Sequence, residues 1–254
     1  MRLVVGMDVW YTQGRSLSNT ASLRDFPSPM NTPAPTILYE DNHLLVVSKP
    51  AGLPTMGTPG GRPTLLAVAK EYVKRKYQKP GNVYLGIVSR LDAPVTGVVV
   101  LARTSKAASR LTAQFRSRTV EKSYWAVVEG VLDPPDGKLV DWLGHDERHR
   151  RMHIVGPTQA GAREARLSYR HLGLVQKDSW LEIQLDTGRK HQIRVQLSHH
   201  GHPILGDRKY GSQKPFDASI ALHARRLVIT HPTTGQRLEF EAPLPKAWDK
   251  FGIL

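Results

Sequence analysis

The sequence predicts an α+β fold: one mixed, largely antiparallel sheet flanked by a few helices, with a central cleft. Three observations carry that expectation. Short apolar or alternating runs of strand type outnumber helical ones. Several of these runs are joined by turn signals of hairpin length. The strand–helix–strand alternation of a doubly wound parallel sheet is missing.

Residues 1–35 are rich in Ser, Thr, Asn and Pro, with Pro27, Pro29, Pro33 and Pro35 clustered at the end. They are expected to be a flexible N-terminal arm, leaving residues 36–254 as one catalytic-sized domain. Residues 36–48 read as strand, tight turn, strand around Glu40-Asp41-Asn42-His43. Lys49-Pro50-Ala51-Gly52 breaks regular structure, and residues 57–63 form a Gly/Pro-rich loop. Thr64 is placed to cap a helix whose apolar positions are Leu65, Val68, Ala69, Tyr72 and Val73.

An apolar run over residues 84–88 leads into Arg90-Leu91-Asp92, and a break follows at Pro94 and Gly97. Residues 98–102 then read as a buried strand. Thr104 or Ser105 is placed to cap a second helix, with Ala107, Ala108, Leu111 and Phe115 on one face and a basic remainder. Residues 120–131 read as a strand. The polar stretch Asp146-Glu147-Arg148-His149-Arg150-Arg151 reads as a loop or ribbon projecting from the sheet. Residues 167–169 and 180–185 read as strands, and residues 187–197 as a turn into a helix. Residues 221–224, 227–229 and 237–240 close the chain as three strands.

The charge balance is the most informative bulk property. Against 36 Lys and Arg stand 22 Asp and Glu, a net charge of +14 in 254 residues. So basic a chain is expected to meet a polyanion, nucleic acid first, because each neutralised phosphate releases counterions. No cysteine is present, so disulfides and thiolate metal sites are excluded. No stretch approaches the ~18 apolar residues of a membrane span. A reducing, cytoplasmic setting fits these features.

Several chemistries lack their motif. The sequence holds no phosphate-binding loop, no dinucleotide fingerprint and no nucleophile elbow. His199, His200 and His202 do not match the spacing of a zinc site, so no metal is expected. Asp92 remains, at a turn between two core segments and among many arginines. It is either a turn acid or a catalytic carboxylate. A carboxylate beside an arginine stays ionised, and such a group serves in attack at a sugar's anomeric carbon.

Four motifs in order resemble those of the RluA family of RNA pseudouridine synthases. The first is Ile37-Leu38-Tyr39-Glu40-Asp41 with Val47-Ser48-Lys49-Pro50-Ala51-Gly52-Leu53. The second is Arg90-Leu91-Asp92 with Thr96-Gly97. The third is Lys122-Ser123-Tyr124-Trp125-Ala126-Val127-Val128-Glu129-Gly130. The fourth is Thr187-Gly188-Arg189-Lys190-His191-Gln192-Ile193-Arg194 with Gly201-His202-Pro203-Ile204-Leu205-Gly206-Asp207. Ser89, Ala93-Pro94 and Val95 depart from the usual pattern around the aspartate.

The resemblance implies the pseudouridine synthase fold and the isomerisation of uridine to pseudouridine in rRNA or tRNA, without cofactor or metal. It implies that Asp92 acts on the ribose or its glycosidic bond. It implies that Tyr124 stacks on the uracil and helps remove the C5 proton, and that Arg194 holds Asp92 ionised and oriented. Arg90, Lys122, Arg189, His191 and Gln192 are the expected RNA contacts; the last three alternatively cap and brace their turn. A monomer without an obligate protein partner is expected. The alternative is a non-catalytic RNA-binding or ribosome-assembly protein that keeps the fold.

Overall fold

The structure, a computed structural model, describes residues 35–57, 62–217 and 219–253. The arm expected over residues 1–35 lies outside these, apart from Pro35. Eleven strands among the described residues form one sheet. β1 (Thr36–Glu40) and β2 (Leu44–Lys49) make the first hairpin, and α1 (Leu65–Lys76) follows. Next come β3 (Gly86–Ile87), β4 (Thr96–Ala102), α2 (Ser105–Ser117) and β5 (Glu121–Val128). β6 (Asp136–Asp146), β7 (Arg151–Val155), β8 (Arg163–Val175) and β9 (Asp178–Leu185) form the long ribbons of the second half. α3 (Gln192–His199), β10 (Leu222–Thr230) and β11 (Arg237–Glu241) complete the fold.

The strand order is β1-β2-β4-β10-β5-β9-β8-β6-β7, with β11 on β10 and β3 on β4. Only the β4–β10 pairing is parallel; the rest are antiparallel, as the sequence predicts. The parallel junction depends on Gly97. Its φ is +115°, and a Cβ there would meet the Ala224 carbonyl oxygen at 2.2 Å and the Ala224 nitrogen at 2.6 Å.

Both helix caps form as the sequence predicts: Thr64 accepts from the Ala67 amide at 3.2 Å and Thr104 from the Ala107 amide at 3.1 Å. Two strand expectations are corrected. The strands expected over residues 221–224 and 227–229 are one strand, β10, which starts at Leu222 and whose register against β5 shifts between Ala224 and Arg226. That bulge places two arginines inside a strand and hides its continuity. The strand expected over residues 167–169 extends to Arg163–Val175, because buried Ala165, Leu167 and Tyr169 alternate with more exposed polar residues in a one-sided ribbon.

β2 and β4 are covered on both faces. Leu45, Val47, Val99 and Leu101 face Leu65, Val68, Ala69 and Tyr72 of α1. Leu44, Val46, Val98 and Val100 face Ala107 and Leu111 of α2. Burial on both sides explains why these strands read as continuous apolar runs. A third cluster joins β5, β8 and β9 to Ile193 and Leu197 of α3 and to Trp248. Leu91 packs against all three clusters. The residue beside Asp92 is thus fixed where these three clusters of the core meet.

Candidate active site

Asp92 sits in the loop between β3 and β4, on a backbone tied down from several sides. The Thr55 hydroxyl donates to the Leu91 carbonyl at 2.8 Å and accepts from the Leu91 amide at 3.1 Å. The Val95 amide donates to the Asp92 carbonyl at 3.1 Å, and the Gly52 amide to the Ala93 carbonyl at 2.9 Å. Buried Lys49 donates to the carbonyls of Pro50, Leu53 and Ala93 at 2.8, 2.8 and 3.1 Å. Burial pushes its ammonium pKa down to about 7, against the attraction of the Asp92 charge. Lys49 belongs to the first motif, and the sequence assigns it no role beyond a break in regular structure. It is the last residue of β2, and its side chain is a strut under the Asp92 loop.

Arg194 projects from α3 with 4% of its surface exposed. Its Nη1 donates to Asp92 Oδ2 at 3.0 Å. Its Nε and Nη2 form a fork on Asp207, at 2.7 and 2.8 Å. Burial works against the guanidinium charge. The hydrogen bonds and negative charge of Asp207, then of Asp92, outweigh it and hold the proton more tightly than usual. Tyr210 lies against the same group, its ring centroid 5.0 Å from the guanidinium carbon. The sequence assigns no site role to Tyr210 or to Asp207, although Asp207 ends the fourth motif.

Tyr124 comes from β5 and lines the same cleft as Asp92. Burial, and secondarily the Asp92 charge, raises its phenol well above the usual range. Its hydroxyl therefore keeps its proton at neutral pH, and the side chain meets a ligand as an uncharged ring.

The cleft has a volume of about 1170 Å³ and is also lined by Arg90, Lys122, Arg189 and His191. Arg90 and Arg189 are exposed, while Lys122 and His191 are half-buried. Burial lowers the Lys122 pKa. Arg116, Arg118, Arg166 and Lys190 add four further cations. The only carboxylates against them in the lining are Asp92 and Asp186. Seven cations around two anions make a site for a polyanion.

Gln192 departs from the expected RNA contacts. It is 2% exposed. Its Oε1 accepts from the Thr187 hydroxyl at 2.8 Å and the Arg189 amide at 3.0 Å, and its Nε2 donates to the Arg166 carbonyl at 3.0 Å. All of its bonds are internal, so it braces the turn into α3. The histidines near the end of α3 hold separate partners. His200 Nε2 lies 3.3 Å from Asp141, and His202 Nδ1 bonds the Glu129 carbonyl at 2.9 Å. Among the described residues no group of three or more His, Cys, Asp or Glu is arranged to hold a metal ion.

A carboxylate at the wall of a cationic cleft, oriented by a buried arginine and sharing that cleft with an uncharged aromatic ring, is the site of an enzyme whose ligand is a polyanion. The RNA pseudouridylate synthase family profile matches residues 43–199, more than half of the chain. A Nitrosomonas europaea ribosomal large subunit pseudouridine synthase D is 40% identical over 220 residues, covering 82% of this chain and 62% of the relative. A Synechocystis protein described as an uncharacterized RNA pseudouridine synthase is 37% identical, over 84% of this chain and 67% of its own length. The solved structure titled human RNA pseudouridylate synthase domain containing 4 superposes with a TM-score of 0.70 at 27% identity, covering 85% of this chain and 92% of the other. The chain belongs to the RNA pseudouridylate synthase family. Within it, the chain falls in the RluA group, as the four motifs imply. It spans about two thirds of the length of these curated relatives.

Proposed function

We propose that the protein converts uridine to pseudouridine within RNA, with large-subunit ribosomal RNA the first substrate to examine. The observation that carries this reading is Asp92, held by Arg194 at 3.0 Å and facing a cation-lined cleft that also contains Tyr124. The N1–C1′ bond breaks, the base turns while held, and C5 bonds C1′. C5 then loses its proton and N1 gains one, so atoms and electrons balance without an outside reactant. Asp92 acts on the ribose or its glycosidic bond. Tyr124 stacks on the uracil.

Extruding the uridine costs a few kcal/mol. Phosphate contacts from Arg90, Lys122, Arg189 and the other rim cations offset that cost. The β6–β7 ribbon, with Arg148, Arg150 and Arg151 exposed at its end, continues this surface. Lys190 at the cleft rim reaches it, with Nζ 3.4 Å from His145 Nε2.

Residues 36–254 are the catalytic unit in this reading, and a monomer is the working form it assumes. No helix among the described residues is long and apolar enough to cross a membrane, which accords with a cytoplasmic site of action.

The test is tritium release from ribosomal RNA carrying uridine tritiated at C5. Wild type releases tritium; Asp92→Ala does not, while still binding the RNA. Equal, negligible release by the two proteins on RNA from the source cell overturns the isomerase reading.

A further inference from the structure

His191 caps α3 in the left-handed conformation, φ +54°. Its Nε2 lies 3.7 Å from Asp92 Oδ2, and its Nδ1 lies 2.7 Å from the Tyr210 hydroxyl. We propose that His191 is a positioning residue for Asp92, acting through a neutral Nε2–H whose tautomer is fixed by Tyr210. This goes beyond the RNA-contact role expected from its motif and rests on the isomerase reading above.

The tautomer follows from the groups on the two sides of the ring, the Tyr210 hydroxyl at Nδ1 and the Asp92 carboxylate beyond Nε2. The Tyr210 oxygen accepts the Met152 amide at 3.1 Å. Its one hydroxyl proton is then free to donate to His191 Nδ1. An imidazole that accepts at Nδ1 carries its proton on Nε2, the nitrogen that faces Asp92. The reverse tautomer would aim a lone pair at a carboxylate.

The ring has little freedom to turn away. It meets Tyr210 edge-on, at 5.7 Å between centroids and 84° between planes. Tyr210 is held in turn by Met152, by the Ser198 hydroxyl on its carbonyl at 2.5 Å, and by its contact with Arg194. Burial lowers the His191 pKa to about 4, Asp92 opposing and Arg194 adding to the shift. The imidazole is thus neutral at physiological pH.

Arg194 and His191 address the same oxygen, Oδ2. Among the described residues no donor is bonded to Oδ1. Oδ1 is therefore the oxygen left for the substrate. A separation of 3.7 Å exceeds a hydrogen bond, and such contacts tighten when substrate fills the site. A neutral donor fixes the carboxylate without a second full positive charge, which would weaken it as a nucleophile or base.

The experiment compares wild type with His191→Ala, His191→Gln and Tyr210→Phe by tritium release, together with the ¹⁵N shifts of the His191 ring. In His191→Ala, kcat falls roughly tenfold or more with KM for RNA unchanged. Gln places an amide N–H near the Nε2 position and recovers at least part of that loss. Tyr210→Phe keeps the ring beside Arg194 and lowers kcat several-fold. The wild-type ring shows protonated Nε2 and bare Nδ1. A raised KM with unchanged kcat in His191→Ala, or a Gln variant no better than Ala, overturns the proposal. A protonated Nδ1 overturns it whatever the variants do, including any that fail to fold. The ring readout needs no turnover, so this outcome is separable from a wild type that releases no tritium.

Discussion

Arg194 Nη1 lies 3.0 Å from Asp92 Oδ2 while the other edge of the same guanidinium is clamped by Asp207 at 2.7 and 2.8 Å. One nearly buried cation thus serves two carboxylates. Asp207 is 1% exposed and anchors the guanidinium; Asp92 faces the cleft and is the group being aimed. A planar fork with donors on both edges makes this geometry, and an ammonium cannot reproduce it.

Arg194→Lys is therefore expected to fold but to lower kcat about a hundredfold, since one ammonium cannot hold both partners. Arg194→Met leaves Asp207 buried without its cation and is expected to cost about 3–5 kcal/mol of stability. Tritium release checks the first variant and urea unfolding the second. A lysine variant of near wild-type rate would show that Asp92 needs no such aiming.

Gly97→Ala tests the parallel junction. The new methyl would meet Ala224 backbone atoms at 2.2 and 2.6 Å, at a φ that side chains rarely adopt. Flexible side-chain ends can move aside, but here the obstacle is backbone. The expected loss is roughly 3 kcal/mol or more, read as a fall in the urea midpoint. Stability unchanged within about 0.5 kcal/mol would refute the assigned β4–β10 approach.

The acid limb of stability is expected to involve His223. It is fully buried in β10, with Nε2 donating to the Ala242 carbonyl at 3.2 Å and Nδ1 accepting from the Thr96 hydroxyl at 2.8 Å. Burial pushes its pKa down to about 4; the Ala242 bond opposes this and Arg225 adds to it. Below pH 6.5 the unfolded chain takes a proton that the folded chain refuses. The contribution is full above 6.5 and is lost as pH falls toward 4. His223→Gln is expected to flatten this part of the stability–pH curve, measured by urea unfolding at stepped pH. An unaltered slope in the variant would rule the assignment out.

Local features were readable because neighbours in the chain decide them. Thr64 and Thr104 each cap an amide three residues on, and the apolar runs of β2 and β4 announce strands covered on both faces. Gln192 shows where local reading stops. Its place after Arg189 and His191 suggested a surface group, but the turn from Thr187 rotates it inward onto Arg166. The break in β10 was misread because a bulge puts Arg225 and Arg226 where alternation should continue.

By itself the sequence determined the fold class, the basic character of the protein and, through four motifs, the family and the carboxylate at its centre. Tertiary structure alone decided what surrounds that carboxylate. Arg194 stands 102 positions from Asp92; Lys49, Asp207 and Tyr210 reach the site from β2 and from the segment after α3. Such polar meetings depend on strand order, register and helix rotation across the whole sheet. Periodicity records which side of an element faces the core, not which distant polar group waits there.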